Sequence, residues 1–527
     1  KELIKFSSWN KLDMEILKSQ NSQILTQINE IKEILTTNYS PVLKIYDKRP
    51  ENVNIMDRFL YESLFTNFVG RSNELNLIYD FLEEDQKFSW FMIEGPSGSG
   101  KSRFANEACL RARDIGWDSG FASIGHNKNF NWGNFRPVND TLIVFDYVRS
   151  RKDDIRHILE SCKIIEDSAK DKSFPKLRIL LLERVFDSKL INAMDNVNVR
   201  NNYFRFNGHE NLAYPMPELE EDSRWHILKQ IFRGNILEES LIEQKNEILS
   251  QIQQQDPLNR PLFTFFSGIA LVEGENIKGW DTNQNLQYHL NRQEVNLWSK
   301  NPLWELHQRA LKNLIWLATM CEYITPKDIL DYIAIDQRLI DFELNKKNRE
   351  CIEELFKVVN EKNDHETFYG IKPDIFGEYY IVNYLEEIEE DSWESSELAP
   401  LLFVTSFHIN PQNSAISISI TSDNFFHSKG FNILENFLKT YYNADFIPES
   451  VEYGYLLTDI AGRHYKQNKF QEAKTFLLLA AELQTAYAYI GLGLIYQHED
   501  NSDLAIKCFL KAIQLCDNDP FSKISWV

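Results

Sequence analysis

The sequence predicts an α/β core built on a mostly parallel sheet with helices on both faces, followed by a longer, mostly helical remainder. Three observations predict it. The stretch Gly95-Pro96-Ser97-Gly98-Ser99-Gly100-Lys101-Ser102 stands between the apolar run Phe88–Ile93 and the helix-opening Arg103-Phe104-Ala105-Asn106-Glu107-Ala108. Two further apolar runs, Thr141–Asp146 and Leu177–Arg184, are separated by helical patterning, and such alternation marks a parallel sheet. Beyond Tyr214-Pro215-Met216-Pro217 the periodicity turns helical, and the tail repeats itself.

Taken in order, residues 12–35 read as one helix. Leu17, Ile24 and Ile31 recur every seven residues, with Asn21, Ile28 and Leu35 on the second seam. This is either a short coiled coil or a helix packed on a neighbouring domain. Residues 36–58, with Pro41 and Pro50, read as a linker. The core, 59–210, opens with Phe68-Val69-Gly70-Arg71-Ser72-Asn73-Glu74-Leu75 and an amphipathic helix through Phe81. A helical segment, 211–280, follows; its helices are Leu219–Phe232, with acidic residues around the first turn, and one opened by Asn259-Arg260-Pro261-Leu262, where Pro261 suits a first-turn position. Residues 281–385 are mainly helical, and the acidic stretch Glu386–Glu397 marks a boundary before the connector, 386–450. Within that connector, Ser414–Thr421 alternates with period two and reads as a short strand or an irregular link. In the tail, 451–527, Gly462, Tyr465, Ala473, Leu477 and Ala480 recur as Gly493, Tyr496, Ala505, Phe509 and Ala512, at offsets of 31 or 32 residues. Small residues would let paired helices approach while Tyr and Phe fill the gaps between pairs. Two repeats need roughly a third for stability, so the chain is expected to continue past Val527. Lys1 is not a methionine, so a segment upstream is also expected.

The glycine stretch carries the chemistry. Gly95, Gly98 and Gly100 let the backbone wrap so that successive N–H groups face one anion. The helix that starts near Lys101 adds its positive end. Lys101 would reach β- and γ-phosphates, and the Ser102 hydroxyl would sit on Mg²⁺. Asp146 ends a buried strand, where a carboxylate either turns the chain or serves the metal; its place downstream of a phosphate loop favours the metal. Arg184 ends the next strand, placed to face a γ-phosphate, or else solvated or ion-paired.

Composition bounds the remaining classes. At 527 residues the chain holds roughly three or four domains. A formal net charge of −21 argues against broad binding to nucleic-acid backbones. The six cysteines show no C-x-x-C spacing and read as thiols of a reducing, cytoplasmic compartment. No run of about 18 apolar residues exists to span a membrane, and no signal peptide is visible.

The order of these stretches resembles STAND NTPases, the signal-transduction ATPases with numerous domains. The resemblance rests on Phe68–Leu75, the phosphate loop, Leu142–Val148, Leu177–Arg184 and Asn259–Leu262, and covers roughly residues 60–385. The Asp146-Tyr147-Val148 variant with Arg151, and Pro373-Asp374-x-x-Gly377-Glu378-Tyr379, are most similar to bacterial antiviral members. The pattern Leu492-Gly493-x-x-Tyr496 resembles tetratricopeptide repeats. The resemblance implies a P-loop NTPase core, a helical lid, a winged-helix-like module and α-solenoid repeats. It implies ATP or ADP with Mg²⁺. Phe68, Val69 and Arg71 would lie beside the adenine, Gly95 to Ser102 with Arg103 around the phosphates, and Pro261 over the base. Ser102 and Asp146 would serve the metal; Lys101, Asp146 and Arg184 would act in hydrolysis. Many members carry a second acid after the strand Asp. Here Tyr147 stands, which implies slow turnover. The implied function is an ATP-dependent switch that senses a foreign or phage protein through its repeats, assembles into a ring or tetramer-like particle, and activates an N-terminal effector. Nucleic acid would be touched only through that effector. A transcriptional regulator of the same family and an AAA-type remodeller are the alternatives.

Overall fold

The structure is a computed structural model and describes residues 41–49, 57–122, 130–168, 174–186, 190–191, 194, 199–206, 213–333, 343–356, 367–372, 374–390, 397–441 and 451–518. The expected helix at 12–35 and Pro373 lie outside these. The chain is mostly helical and divides into two units, one of residues 1–47, 71–94 and 101–216, the other of 48–70, 95–100 and 217–527.

The first unit is built on a six-stranded sheet. Its strands are β1 (Leu43–Lys44), β2 (Phe88–Glu94), β3 (Asp118–Ala122), β4 (Thr141–Asp146), β5 (Leu177–Glu183) and β6 (Tyr214–Pro215), in the order β1-β3-β4-β5-β2-β6. The apolar runs become β2, β4 and β5, whose residues are buried at almost every position. Successive strand residues face opposite sides, so both faces of the sheet are covered. All pairings are parallel except β1 with β3. The sheet is therefore mixed, not wholly parallel, and residues 43–46 are not plain linker. The Tyr46 amide and carbonyl both bond the Asn106 side chain, at 3.1 and 2.9 Å, which holds this edge in place. The register pairs Glu94 with Glu183 and Asp146 with Leu182, which lines up the carboxyl ends of β2, β4 and β5 on one edge.

Three long helices accompany the sheet: α1 (Ser72–Glu83), α2 (Lys101–Asp114) and α3 (Lys152–Ser168). Each buries a stripe at helical spacing, such as Ile155, Ile158, Leu159, Cys162 and Ile165 on α3. Each large side chain of such a stripe contributes about 1.5–3 kcal/mol. The end of α1 is finished by a side chain from β5. Arg178, fully buried, donates to the carbonyls of Phe81, Leu82 and Glu84 at 2.6, 3.3 and 2.7 Å, meeting acceptors that a helix terminus leaves open.

The second unit is helical. Its helices are α4 (Glu221–Phe232), α5 (Glu238–Glu243), α6 (Lys245–Gln255), α7 (Pro261–Val272), α8 (Thr282–Asn296), α9 (Trp304–Met320), α10 (Pro326–Ile333), α11 (Lys346–Leu355), α12 (Asp374–Glu390), α13 (Leu398–Ile409), α14 (Pro411–Phe425), α15 (Lys429–Tyr441), α16 (Val451–Lys466), α17 (Phe470–Glu482), α18 (Ala486–His498) and α19 (Ser502–Asn518). A two-stranded antiparallel pair, β7 (Tyr323–Ile324) and β8 (Phe368–Tyr369), lies among them. Phe59, expected to open the nucleotide-binding core, belongs instead to this helical unit, where it is 7% exposed and packs edge-on to Phe265, Phe266 and His289. The alternating stretch 414–421 is helix, not strand. Ser414, Ala415, Ile418, Thr421, Ser422 and Phe425 are its buried positions, spaced for a helix, and Asn410 caps it by accepting from the Asn413 amide. The tail forms two helical hairpins, α16 with α17 and α18 with α19. Its glycines differ: a methyl group on Gly493 would meet the Phe509 ring at 2.4 Å, whereas Gly462 has open space around it. Tyr465 is 36% exposed and lies edge-on to the Phe470 ring of α17. Among the described residues, no helix is long and apolar enough to cross a membrane. Cys109, Cys162, Cys321 and Cys351 are buried free thiols.

Candidate nucleotide-binding site

Residues Gly95–Gly100 run in sequence from the end of β2 to the first residue of α2, as the strand–loop–helix reading requires. Gly98 and Gly100 adopt φ of 79° and 90°, a left-handed conformation that side chains rarely take, and the Ser99 amide closes a turn onto the Pro96 carbonyl at 3.2 Å. The first turn of α2 carries no acidic residue. No acid of the turn itself competes for its N-terminal amides. Lys101 is 9% exposed. Arg103 follows with its Nη1 3.8 Å from Glu107 Oε2; burial lowers its pKa, and Glu107 opposes the shift.

At the carboxyl edge of the sheet, two predicted residues meet. The Ser102 hydroxyl donates to Asp146 Oδ2 at 2.5 Å, and the Tyr147 amide donates to Asp146 Oδ1 at 3.0 Å. This ties the start of α2 to the end of β4. Tyr147 holds a left-handed φ of 57°, with its ring 42% exposed. Arg184 directly follows the adjacent strand β5, two positions beyond the register partner of Asp146, and is 7% exposed. Its backbone is fixed by Glu183, which sequence reasoning missed. Glu183 Oε1 accepts from the Arg184 amide at 2.7 Å and Oε2 from the Arg149 amide at 2.8 Å. Arg149 Nη2 reaches the Val185 carbonyl at 3.0 Å, and the Phe186 amide bonds Glu94 Oε2 at 2.9 Å. Three strand-end carboxylates therefore hold the loops that carry Tyr147 and Arg184. The only sequence signal was that each apolar run ends in an acid.

The residues expected beside the base divide between the units. In the first, Arg71 precedes α1 with φ of 64° and clusters with Glu74 and Tyr214; the Tyr214 hydroxyl bonds Glu74 Oε1 at 3.3 Å. Burial lowers the Arg71 pKa, and the charges of Glu74 and Tyr214 oppose this. Burial and Glu74 push the Tyr214 hydroxyl up. In the second, Phe68 and Val69 are partly buried and lead to Gly70, where an added methyl would lie 2.7 Å from Ser223 Oγ on α4. Pro261 is the first residue of α7, as expected, and its Cγ would lie 3.7 Å from a methyl on Gly100.

No family model and no curated protein matches the chain. The solved structures to which the chain is similar over long spans include the following three. A signal-transduction ATPase with numerous domains and a tetratricopeptide-repeat sensor, from Pyrococcus horikoshii, is 14% identical, with 92% of this chain and 68% of that one covered at a TM-score of 0.29. A Walker-type ATPase of Pyrococcus abyssi is 14% identical over 64% of this chain and 99% of its own, at 0.28. The ORC2 protein of Aeropyrum pernix, in ADPNP and ADP complexes, is 11% identical over 65% and 100%, at 0.26. Superpositions this loose carry no weight on mechanism.

Proposed function

We propose that this chain is a slow, switch-like ATPase of the STAND type. The observation that carries the reading is the complete phosphate loop between β2 and α2, with Ser102 bonded to Asp146 at 2.5 Å. Amides of Gly95–Ser102 and the start of α2 would hold the phosphates, with Lys101 as point charge. Ser102 Oγ and Asp146 Oδ2 are adjacent hard oxygen donors, which fits Mg²⁺, an ion that takes few protein ligands and completes its shell with water and phosphate. When bound, the ion neutralises charge on the β- and γ-phosphates. Asp146 is held by Ser102 and the Tyr147 amide, Arg184 would face a γ-phosphate, and Phe68, Val69, Arg71 and Pro261 would enclose the base. Tyr147 offers no carboxylate to orient water, so turnover is expected on the order of 10⁻⁴ to 10⁻² s⁻¹, the range of switch enzymes acting without a partner protein. This weighs against a remodeller with steady turnover.

Lys101→Ala is expected to abolish nucleotide binding in calorimetry. Asp146→Ala is expected to retain nucleotide while losing phosphate release. Undiminished ATP turnover in the lysine variant would refute the assignment.

On the resemblance, the two hairpins from Val451 to Asn518 would bind a protein trigger, such as a foreign or phage protein, and ATP would permit assembly that activates an effector. A trigger shifts the balance only by its differential affinity for the open state. Mass measurements with ATP, with and without candidate triggers, test this; a monomer in every state would count against it.

A further inference from the structure

The second unit contains a buried ion pair that ends on the phosphate loop. Asp256 and Arg260, 1% and 5% exposed, lie on either side of the turn between α6 and α7. Arg260 Nε donates to Asp256 Oδ1 at 3.0 Å, its Nη2 lies 2.9 Å from the same oxygen, and its amide donates to Asp256 Oδ2 at 2.6 Å. Phe263 covers the guanidinium at 4.3 Å. The remaining arm, Nη1, donates to the Ser97 carbonyl at 3.3 Å. Two residues on, the Leu262 amide donates to the Gly98 carbonyl at 3.3 Å. A methyl on Gly98 would sit 3.0 Å from Leu262 Cβ. The start of α7 is thus seated on the carbonyls of the loop.

A loop that presents amides to an anion must turn its carbonyls outward, and those carbonyls need partners. Arg260 and Leu262 supply them. A buried ion pair is poor evidence for stability, because desolvation offsets its attraction. As a jig it is specific: one fork of a rigid guanidinium is fixed by the carboxylate, so the other is aimed. We propose that the Asp256–Arg260 pair is a positioning device for the phosphate loop. It sets the Ser97 and Gly98 peptides so that the loop's amides are ready for a polyphosphate. This rests on the reading that the loop binds nucleotide phosphates. By reciprocity, an occupied loop also holds the start of α7 more firmly.

The test measures affinity of the full chain for magnesium ADP and for tripolyphosphate in the parent, in Arg260→Lys and in the double variant Asp256→Asn/Arg260→Gln, which leaves no buried charge unpaired. Denaturation midpoints and amide exchange over residues 95–100 are read on the same proteins. Affinity for both ligands is expected to fall about tenfold in both variants, the loss of one charge-assisted hydrogen bond. Loop amides should exchange faster, while those of β5 stay protected. Lysine retains the charge but cannot span carboxylate and carbonyl together, so it should not rescue. Unchanged affinity in a variant with a near-parental midpoint would overturn the proposal, as would rescue by lysine. A parent that binds neither ligand would overturn the nucleotide reading and this inference together.

Discussion

Gly98 shows how one residue can be required twice. Its φ of 79° excludes most side chains, and Leu262 occupies the space a methyl would need. Gly98→Ala is expected to lower ADP affinity at least tenfold, since strain of about 1–3 kcal/mol falls on the loop itself. Gly116→Ala is the control, with φ of 91° but nothing within 4 Å of the new methyl; calorimetry should find its nucleotide affinity unchanged. His289 is the second residue with a specific expectation. It is wholly buried among Phe59, Phe266, Tyr288 and Phe376, with Nε2 3.0 Å from the Phe266 carbonyl, and burial drops its pKa from 6.5 to about 3. The unfolded chain therefore takes up a proton below pH 6.5 that the fold refuses. Its contribution is complete above that pH and declines as pH falls, by roughly 3 kcal/mol at pH 4. His289→Gln should be less stable at neutral pH yet lose less between pH 7 and 4, read from urea midpoints. A parallel decline in both proteins would contradict this. The site residues were legible where a motif fixes them in a row, from Gly95 to Ser102. Arg260 stands in the stretch Asn259–Leu262, but its contact was invisible because the partner is a main-chain carbonyl far away in sequence, and carbonyls leave no signature.

Among the elements, those with long apolar periodicity were readable and the short ones were not. The strands β2, β4 and β5 follow from continuous apolar runs, and α7 from Pro261 at its first turn. The strand β3 holds Asp118, Ser119 and Gly120, and β1 is two residues long; neither carries a pattern of its own. They are strands because neighbours supply hydrogen-bond partners. The helix α14 was misread because Ser and Ile alternate along it, although its buried positions are three or four apart. Arg178 illustrates an element held from outside. Arg178→Met should destabilise the protein by roughly 3 kcal/mol, because several buried carbonyls lose their donors at once. The denaturant midpoint should fall, while nucleotide affinity of the folded fraction stays unchanged; a midpoint within error of the parent would show that α1 needs no such cap.

Over the whole molecule, charge is the property that sequence fixes most directly. With a formal net charge of −21, the chain should show no binding to a random duplex below about 100 µM at physiological salt, measured by fluorescence anisotropy, since counterion release needs clustered cations. A salt-sensitive complex at low micromolar duplex would mean a basic groove that the overall balance conceals. Sequence by itself determined the α/β core, the phosphate loop and its serine and lysine, the helical remainder and the doubled tail, because each is written in local spacing and period. Tertiary structure alone decided that Ser102 meets Asp146, that Glu183 accepts from the Arg149 amide, that residues near Leu43 close the sheet edge, and that Arg260 bonds the loop. Those are pairings between distant segments, and the free energy that selects them comes from burial and satisfied carbonyls, which no local window of sequence contains.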